Sequence, residues 1–121
     1  MSSQPAKATT NAPDRRRRRH PRYRCDFPVT MTLLTGKNYQ KLNAHCKDIS
    51  EAGLGAIVAA ELTSGEVVSL NFSLPDSNQS WDVRAVLRHR RGYHYGFEFL
   101  SLDQERTDIL KTFVRSRERA D

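Results

Sequence analysis

A chain of 121 residues, 37% hydrophobic and 28% charged, has room for one domain with tails and enough apolar surface for a modest core. No apolar run approaches the roughly 20 residues that a membrane-spanning helix needs, and residues 1–14 lack the apolar middle of a secretory signal, so no membrane span and a cytoplasmic location are expected. The formal charge of +6 sits in one segment: residues 1–26 carry eight basic and two acidic side chains, and residues 27–121 carry twelve of each. This excludes a domain that is basic all over and points to an anionic partner met at one place.

In chain order, residues 1–14 are rich in Ser, Thr, Ala, Pro and Asn. They have no large apolar anchor and are expected to form a disordered tail. Residues 15–24 read RRRRRHPRYR, seven arginines in ten. The planar fork of arginine matches a phosphate bidentately and also fits the O6 and N7 edge of guanine, whereas lysine offers a point charge. Segment 15–26 is therefore expected to be a flexible basic arm, held open by its own like charges until a ligand orders it.

From Phe27 the pattern becomes that of a strand, with Val29, Met31 and Leu33 on one face and Thr30 and Thr32 on the other. Gly36, Lys37 and Asn38 supply a turn. A second, curved strand over about 39–49 puts Leu42, Ala44 and Cys46 on one side and Asn43, His45 and Lys47 on the other. Residues 48–53 break the alternation, and a third strand covers 54–59. A fourth carries Val68, Leu70, Phe72 and Leu74, a fifth Trp81, Val83, Ala85 and Leu87, and a sixth Tyr93, Tyr95, Phe97 and Phe99. Turns at Thr63-Ser64-Gly65, at 75–78 and at Arg91-Gly92 separate them.

These elements predict a mainly β fold, a six-stranded antiparallel β-barrel over residues 27–100 that closes on itself and leaves no edge exposed. A C-terminal helix over 102–117 follows. Ser101-Leu102-Asp103-Gln104 reads as a capping box, and Ile109, Leu110, Phe113 and Val114 form a stripe to pack on the barrel. Beyond Arg115 the chain is charged and expected to fray, with 118–121 a tail. Arm, barrel and helix make one domain over 15–117.

The candidate chemistry lies in residues 48–53, Asp-Ile-Ser-Glu-Ala-Gly. With the arm folded over the mouth of the barrel beside Asp48 and Ser50, cationic forks face a carboxylate and a hydroxyl. Guanine suits that mixture, because arginine takes its O6 and N7 edge while Asp48 takes its N1 and N2 donors. Ser50 offers a hydroxyl to phosphate or base, and Gly53, without a Cβ, lets backbone approach a ligand.

An arginine pair four apart, then one strand, then Asp-x-Ser-x-x-Gly resembles the PilZ domain family. The first motif fits Arg18-Arg19-His20-Pro21-Arg22 and the second Asp48, Ser50 and Gly53. Arg15 and Arg19 have the same spacing, and the register with Arg18 and Arg22 is preferred because it lies closer to the first strand. The resemblance implies a PilZ-like barrel and a bacterial receptor for the dinucleotide cyclic di-GMP, with Arg18 and Arg22 gripping phosphate and guanine. It links Arg17, which precedes the pair, to binding of two stacked ligand molecules. It sets Arg88 or His89 near a residue that stacks on guanine in some members, and Arg88 is favoured. The implied role is a second-messenger receptor in which the ligand pins the arm and creates a surface for an unknown downstream protein, with no cofactor besides the nucleotide.

Plainer explanations exist for each part. An arginine run is also a solvated tail that sticks to nucleic acid or anionic lipid, and a basic-arm nucleic-acid binding module is the alternative function. Asp48 and Ser50 are also ordinary turn formers at a strand end, and Gly53 a turn glycine. Cys25 and Cys46 read as two free thiols, and the histidines lack the spacing of a metal site. Trp81 reads as barrel packing, and the aromatic face of the sixth strand as core rather than a stacking surface for single-stranded nucleic acid. There is no glycine-rich phosphate loop, nucleophile elbow or carboxylate pair beside a histidine, so no enzyme is expected.

Overall fold

A computed structural model describes residues 20–34, 39–75, 77 and 79–120. The expected tail over 1–14, the positions of Arg15, Arg17, Arg18 and Arg19, and the turn at Gly36-Lys37-Asn38 lie outside the described residues. Six strands and one helix follow in order: β1 Tyr23–Leu33, β2 Gln40–Ile49, β3 Gly53–Val58, β4 Val67–Ser73, β5 Ser80–Arg91, β6 His94–Phe99 and α1 Gln104–Arg115.

Two three-stranded meanders, β1-β2-β3 and β4-β5-β6, join edge to edge. β3 pairs with β6 and β4 returns to β1, so the strand order β1-β2-β3-β6-β5-β4 closes into a barrel in which every pairing is antiparallel. Closure satisfies the backbone groups that an open sheet would leave at its edges. The predicted alternation selects the interior: Phe27, Val29, Met31 and Leu33 from β1, Ala44 and Cys46 from β2, and Val68, Leu70 and Phe72 from β4 are all buried. Phe27, Phe72 and Trp81 pack in a row with ring centroids 5.6 and 5.8 Å apart, and Trp81 is 1% exposed. Tyr95 is buried with its hydroxyl satisfied, donating to the Ala60 carbonyl at 2.7 Å and accepting from the Leu62 N–H at 3.1 Å. Of the four aromatics expected on one face of the sixth strand, Tyr95, Phe97 and Phe99 are core, whereas Tyr93 lies before the strand and is exposed.

The helix is seated by Leu110 and Val114, both buried, with Phe113 partly buried beside them. Ile109 is exposed, because a residue next to Leu110 is turned about 100° away from the i, i+3, i+4 stripe. The helix is also shorter than the predicted 102–117, and its N-cap is Asp103 rather than Ser101. The Asp103 carboxylate accepts the Arg106 backbone N–H at 2.8 Å and the Arg106 side chain at 3.0 Å, where a negative charge complements the helix N-terminus.

Both ends of the described chain depart from expectation together. β1 starts at Tyr23, four residues before Phe27, so part of the expected arm is strand. After the Ser116 C-cap the chain does not fray: Arg24 N–H donates to the Glu118 carbonyl at 2.7 Å, Ala120 N–H donates to the Arg22 carbonyl at 2.9 Å, and Tyr23 bridges to Arg119. The first residues of β1 thus have a backbone partner in residues 118–120 as well as in β2, and Arg24 is paired with Glu118 at 3.1 Å. These bonds and that pair offset the like-charge repulsion expected to hold the segment open.

Candidate functional site

Three β-bulges at one end of the barrel build the site. In β1 the register slips between Arg24 and Phe27, in β2 between Cys46 and Asp48, and in β5 between Leu87 and His89. A bulge adds one residue on one strand and turns every later side chain to the other face. Strict alternation after Cys46 would send Asp48 into the core, and after Leu87 would send His89 there. The extra residues, Lys47 and Arg88, move Asp48 and His89 onto the outer wall instead.

Arg22 joins these two groups. Its Nη1 donates to Asp48 Oδ1 at 3.3 Å, and its Nη2 lies 3.2 Å from His89 Nε2. Side-chain exposures of 22% for Arg22 and 13% for Asp48 mark a pair largely shielded from solvent. The other oxygen of Asp48 is 3.3 Å from His94 Nε2. The strip beneath is glycine: Gly55 leaves room for the Asp48 carboxylate and the His94 ring, and Gly96 for the ring of His89. Three residues before the start of β1, His20 reaches Glu51 at 3.1 Å and fastens that segment to the 48–53 turn.

The turn itself is internally bonded. Ser50 is buried; its hydroxyl accepts the Ala52 N–H at 3.1 Å and donates to the Gly53 carbonyl at 3.4 Å, while its N–H donates to that same carbonyl at 2.8 Å. Gly53 has no space for a side chain, because a Cβ would stand 2.0 Å from the Phe97 carbonyl oxygen. The close approach that requires glycine at this position is between β3 and β6. Arg88 donates to Glu98 at 2.6 Å, and both are exposed at the rim.

A cavity of about 360 Å³ lies between these elements, lined by His20 and Arg22, by Ser50, Ala52 and Gly53, by Arg88 and His89, and by Gly96, Phe97 and Glu98. It sits on the outer wall of β5, β3 and β6 rather than over the barrel mouth, since Tyr95 and Phe97 point inward on either side of Gly96. Of the residues expected to bind ligand, Arg22, Ser50, Gly53 and Arg88 line this cavity, and Asp48 is joined to it through Arg22. Arg17, Arg18 and Arg19 lie outside the described residues. Sequence reasoning missed His94, Gly55 and Gly96, and weighed His89 behind Arg88. No group of three metal-binding side chains occurs among the described residues, and no helix among them is long and apolar enough to cross a membrane.

Comparison with known proteins gives a consistent assignment. The family model described as the PilZ domain matches residues 16–116. The PilZ domain of YcgR from Escherichia coli, solved with c-di-GMP, superposes with a TM-score of 0.60 at 21% identity, over 84% of this chain and 91% of that one. The Bacillus subtilis inhibitor of motility, MotI/DgrA, superposes with a TM-score of 0.65 at 17% identity, over 82% of this chain, which spans only 50% of the inhibitor. The PilZ domain of CeSA from a cellulose-synthesizing bacterium gives a TM-score of 0.58 at 14% identity, over 78% and 94%. No curated protein matches the sequence.

Proposed function

The chain belongs to the PilZ domain family, and from that premise we propose that it is a cytoplasmic receptor for cyclic di-GMP, not an enzyme, and that it signals to a partner protein through its arginine segment. The observation that carries this reading is that Arg22, which lines the cavity together with His89, bonds to both His89 and Asp48. The nucleotide brings phosphates and guanine bases. Arg22 offers a fork to phosphate or to the O6 and N7 edge, and the Asp48 carboxylate accepts from N1 and N2. His89, whose ring fills the space a Gly96 side chain would take, is a ring on which a base could stack. A PilZ domain of similar fold was solved with this same nucleotide, which supports the choice of ligand.

Arg18 and Arg19 precede Arg22 in the chain, and on this reading they close over the ligand from the arm side. Arg17 takes the place that favours two stacked ligand molecules. Arg88 releases Glu98 to reach the second base. Each residue that a ligand orders costs about 1–2 kcal/mol of backbone freedom, so micromolar affinity, about 8 kcal/mol net, calls for several charge-assisted contacts from the arm. The ligand would therefore act as a clasp, and the ordered arm would present a new surface to a downstream protein.

Calorimetric titration with cyclic di-GMP, cyclic di-AMP and GTP tests this. Heat with cyclic di-GMP well above that of the other two is expected. Equal or absent heats for all three would overturn the reading.

A further inference from the structure

Close in the chain to Arg22 and Asp48 are two sulfur atoms that the proposed function does not use. Cys25 Sγ and Cys46 Sγ are 2.8 Å apart, although their residues are 21 positions apart in sequence. Both are free thiols, Cys25 half-buried and Cys46 fully buried. The bulges bring them together, since Cys25 falls within the irregular step between Arg24 and Phe27 and Cys46 begins the slip before Asp48. The Cys46 thiol donates to the Asp48 carbonyl at 3.3 Å, which leaves Cys25 to donate to Cys46. Burial, with Cys25 beside it, pushes the Cys46 thiol far up and keeps it protonated.

We propose that Cys25 and Cys46 form a peroxide-oxidisable dithiol, whose disulfide fastens the root of the arginine segment to the strand that carries Asp48. Cys25 is the less buried of the two residues and, on this proposal, the one that meets the oxidant. Its thiolate attacks one oxygen of hydrogen peroxide, the O–O bond breaks, Cys25 becomes a sulfenic acid and hydroxide leaves. Cys46 then attacks the Cys25 sulfur. The S–S bond forms, the S–O bond breaks, and the sulfenic hydroxyl departs as water with the Cys46 proton. Two thiols and one peroxide give one disulfide and two waters, and the two electrons lost by sulfur reduce the peroxide. The sulfurs need only close from 2.8 Å to about 2.0 Å.

The effect on the cleft rests on its reading as the cyclic di-GMP site. Cys25 lies three residues after Arg22, and Cys46 two before Asp48. A bond between them limits how far those two ligand-facing groups drift apart, and preorganisation of this kind raises affinity. Restricting the freedom of about one residue corresponds to roughly five-fold tighter binding.

The test treats the full chain with hydrogen peroxide and reads intact mass and free thiols. The expected result is a loss of about 2 Da, the two thiol hydrogens, with both thiols gone in the monomer and restored by dithiothreitol. Cys25→Ser and Cys46→Ala variants, checked for fold by circular dichroism, should show no such loss. Two unchanged thiols, or a sulfinic acid at Cys25 without the disulfide, would overturn the dithiol. Titrating the reduced and oxidised forms with cyclic di-GMP should show about five-fold tighter binding after oxidation, and equal affinities would overturn the coupling. If neither form binds, the proposed function and the coupling both fail, while the mass measurement still decides the dithiol.

Discussion

Gly55 and Gly96 face each other as a cross-strand pair of β3 and β6, and neither position has space for a side chain. A Cβ on Gly55 would stand 2.8 Å from both Asp48 carboxylate oxygens and from the His94 ring, and one on Gly96 would stand 2.2 Å from the His89 ring. The pair forms a bare strip of backbone on which the groups of the cleft rest. In Gly96→Ala the obstacle is the far end of a side chain that rotates away. The variant is expected to fold with a loss of about 1 kcal/mol and to bind cyclic di-GMP about ten-fold more weakly, because His89 leaves Arg22. Urea unfolding and calorimetry measure the two effects separately.

Gly53→Ala should behave in the opposite way. There the obstacle is the Phe97 carbonyl oxygen, 2.0 Å from the new carbon, and backbone in a closed barrel cannot step aside. Separating β3 from β6 should lower stability by about 3 kcal/mol or more, in the range of overpacked cores. A urea midpoint unchanged from wild type would show that the two strands are not so close.

Arg22→Ala removes the group that links Asp48 to His89. Hydrogen bonds to charged groups contribute about 1.5–3 kcal/mol each, so cyclic di-GMP binding should weaken by at least about 100-fold while the barrel, whose core does not include Arg22, keeps its thermal midpoint within a few degrees. Arg22→Lys keeps the charge and loses the fork, and it should still bind at least about ten-fold more weakly than wild type.

Asp48→Ala separates the two readings of the basic segment. If the nucleotide is held in the cleft, this single change abolishes its binding. If the arginines act only as a clamp on nucleic acid, affinity for DNA or RNA falls steeply with salt, survives Asp48→Ala and disappears when residues 1–19 are removed. Titrations of both variants at two salt concentrations decide between them.

Asp26 sits in the β1 bulge, hydrogen-bonded to His45 and within 4.0 Å of Lys47. The His45 ring, with Lys47 behind it, holds the Asp26 carboxyl below its ordinary range. A folded-state value lower than the unfolded one means stability that is present above about pH 4 and lost as pH falls through the folded value. Asp26→Asn should therefore be less stable than wild type at about pH 5.5, with the difference shrinking to nothing in stronger acid. The exposed position keeps the effect small. A difference constant across the acid range in paired urea titrations would contradict the assignment.

Much of the barrel was legible because a strand with one face in the core alternates, and Phe27 to Leu33, Val68 to Leu74 and Trp81 to Ala85 do so residue by residue. The second motif was legible too, since Asp48, Ser50 and Gly53 stand at a fixed spacing where the alternation stops. The bulges were hidden for a physical reason: an added residue costs no composition and leaves Cys46 and Asp48, or Leu87 and His89, on what looks like one face. One trace existed, because Cys46 and Ile49 are both buried although three residues apart, a spacing that a regular strand cannot turn to the same side. No such trace follows Leu87, where residues 88–91 are all polar. The pairing of residues 118–120 with residues 22–24 was invisible as well, because it is made chiefly of backbone bonds, and the Arg24–Glu118 pair beside them is a charge match that many residues of this chain could supply.

On the proposed function, the nucleotide sits against Arg22 and Asp48 on the outer wall of the barrel. An amide spectrum recorded while cyclic di-GMP is added to the full chain tests it most directly. Saturating shifts are expected at Arg22, across residues 48–53, and at His89 and Gly96, with the far side of the barrel around Asn71 and Asp82 unmoved. Shifts confined to residues 1–19, or none at all at ligand saturation, would contradict it.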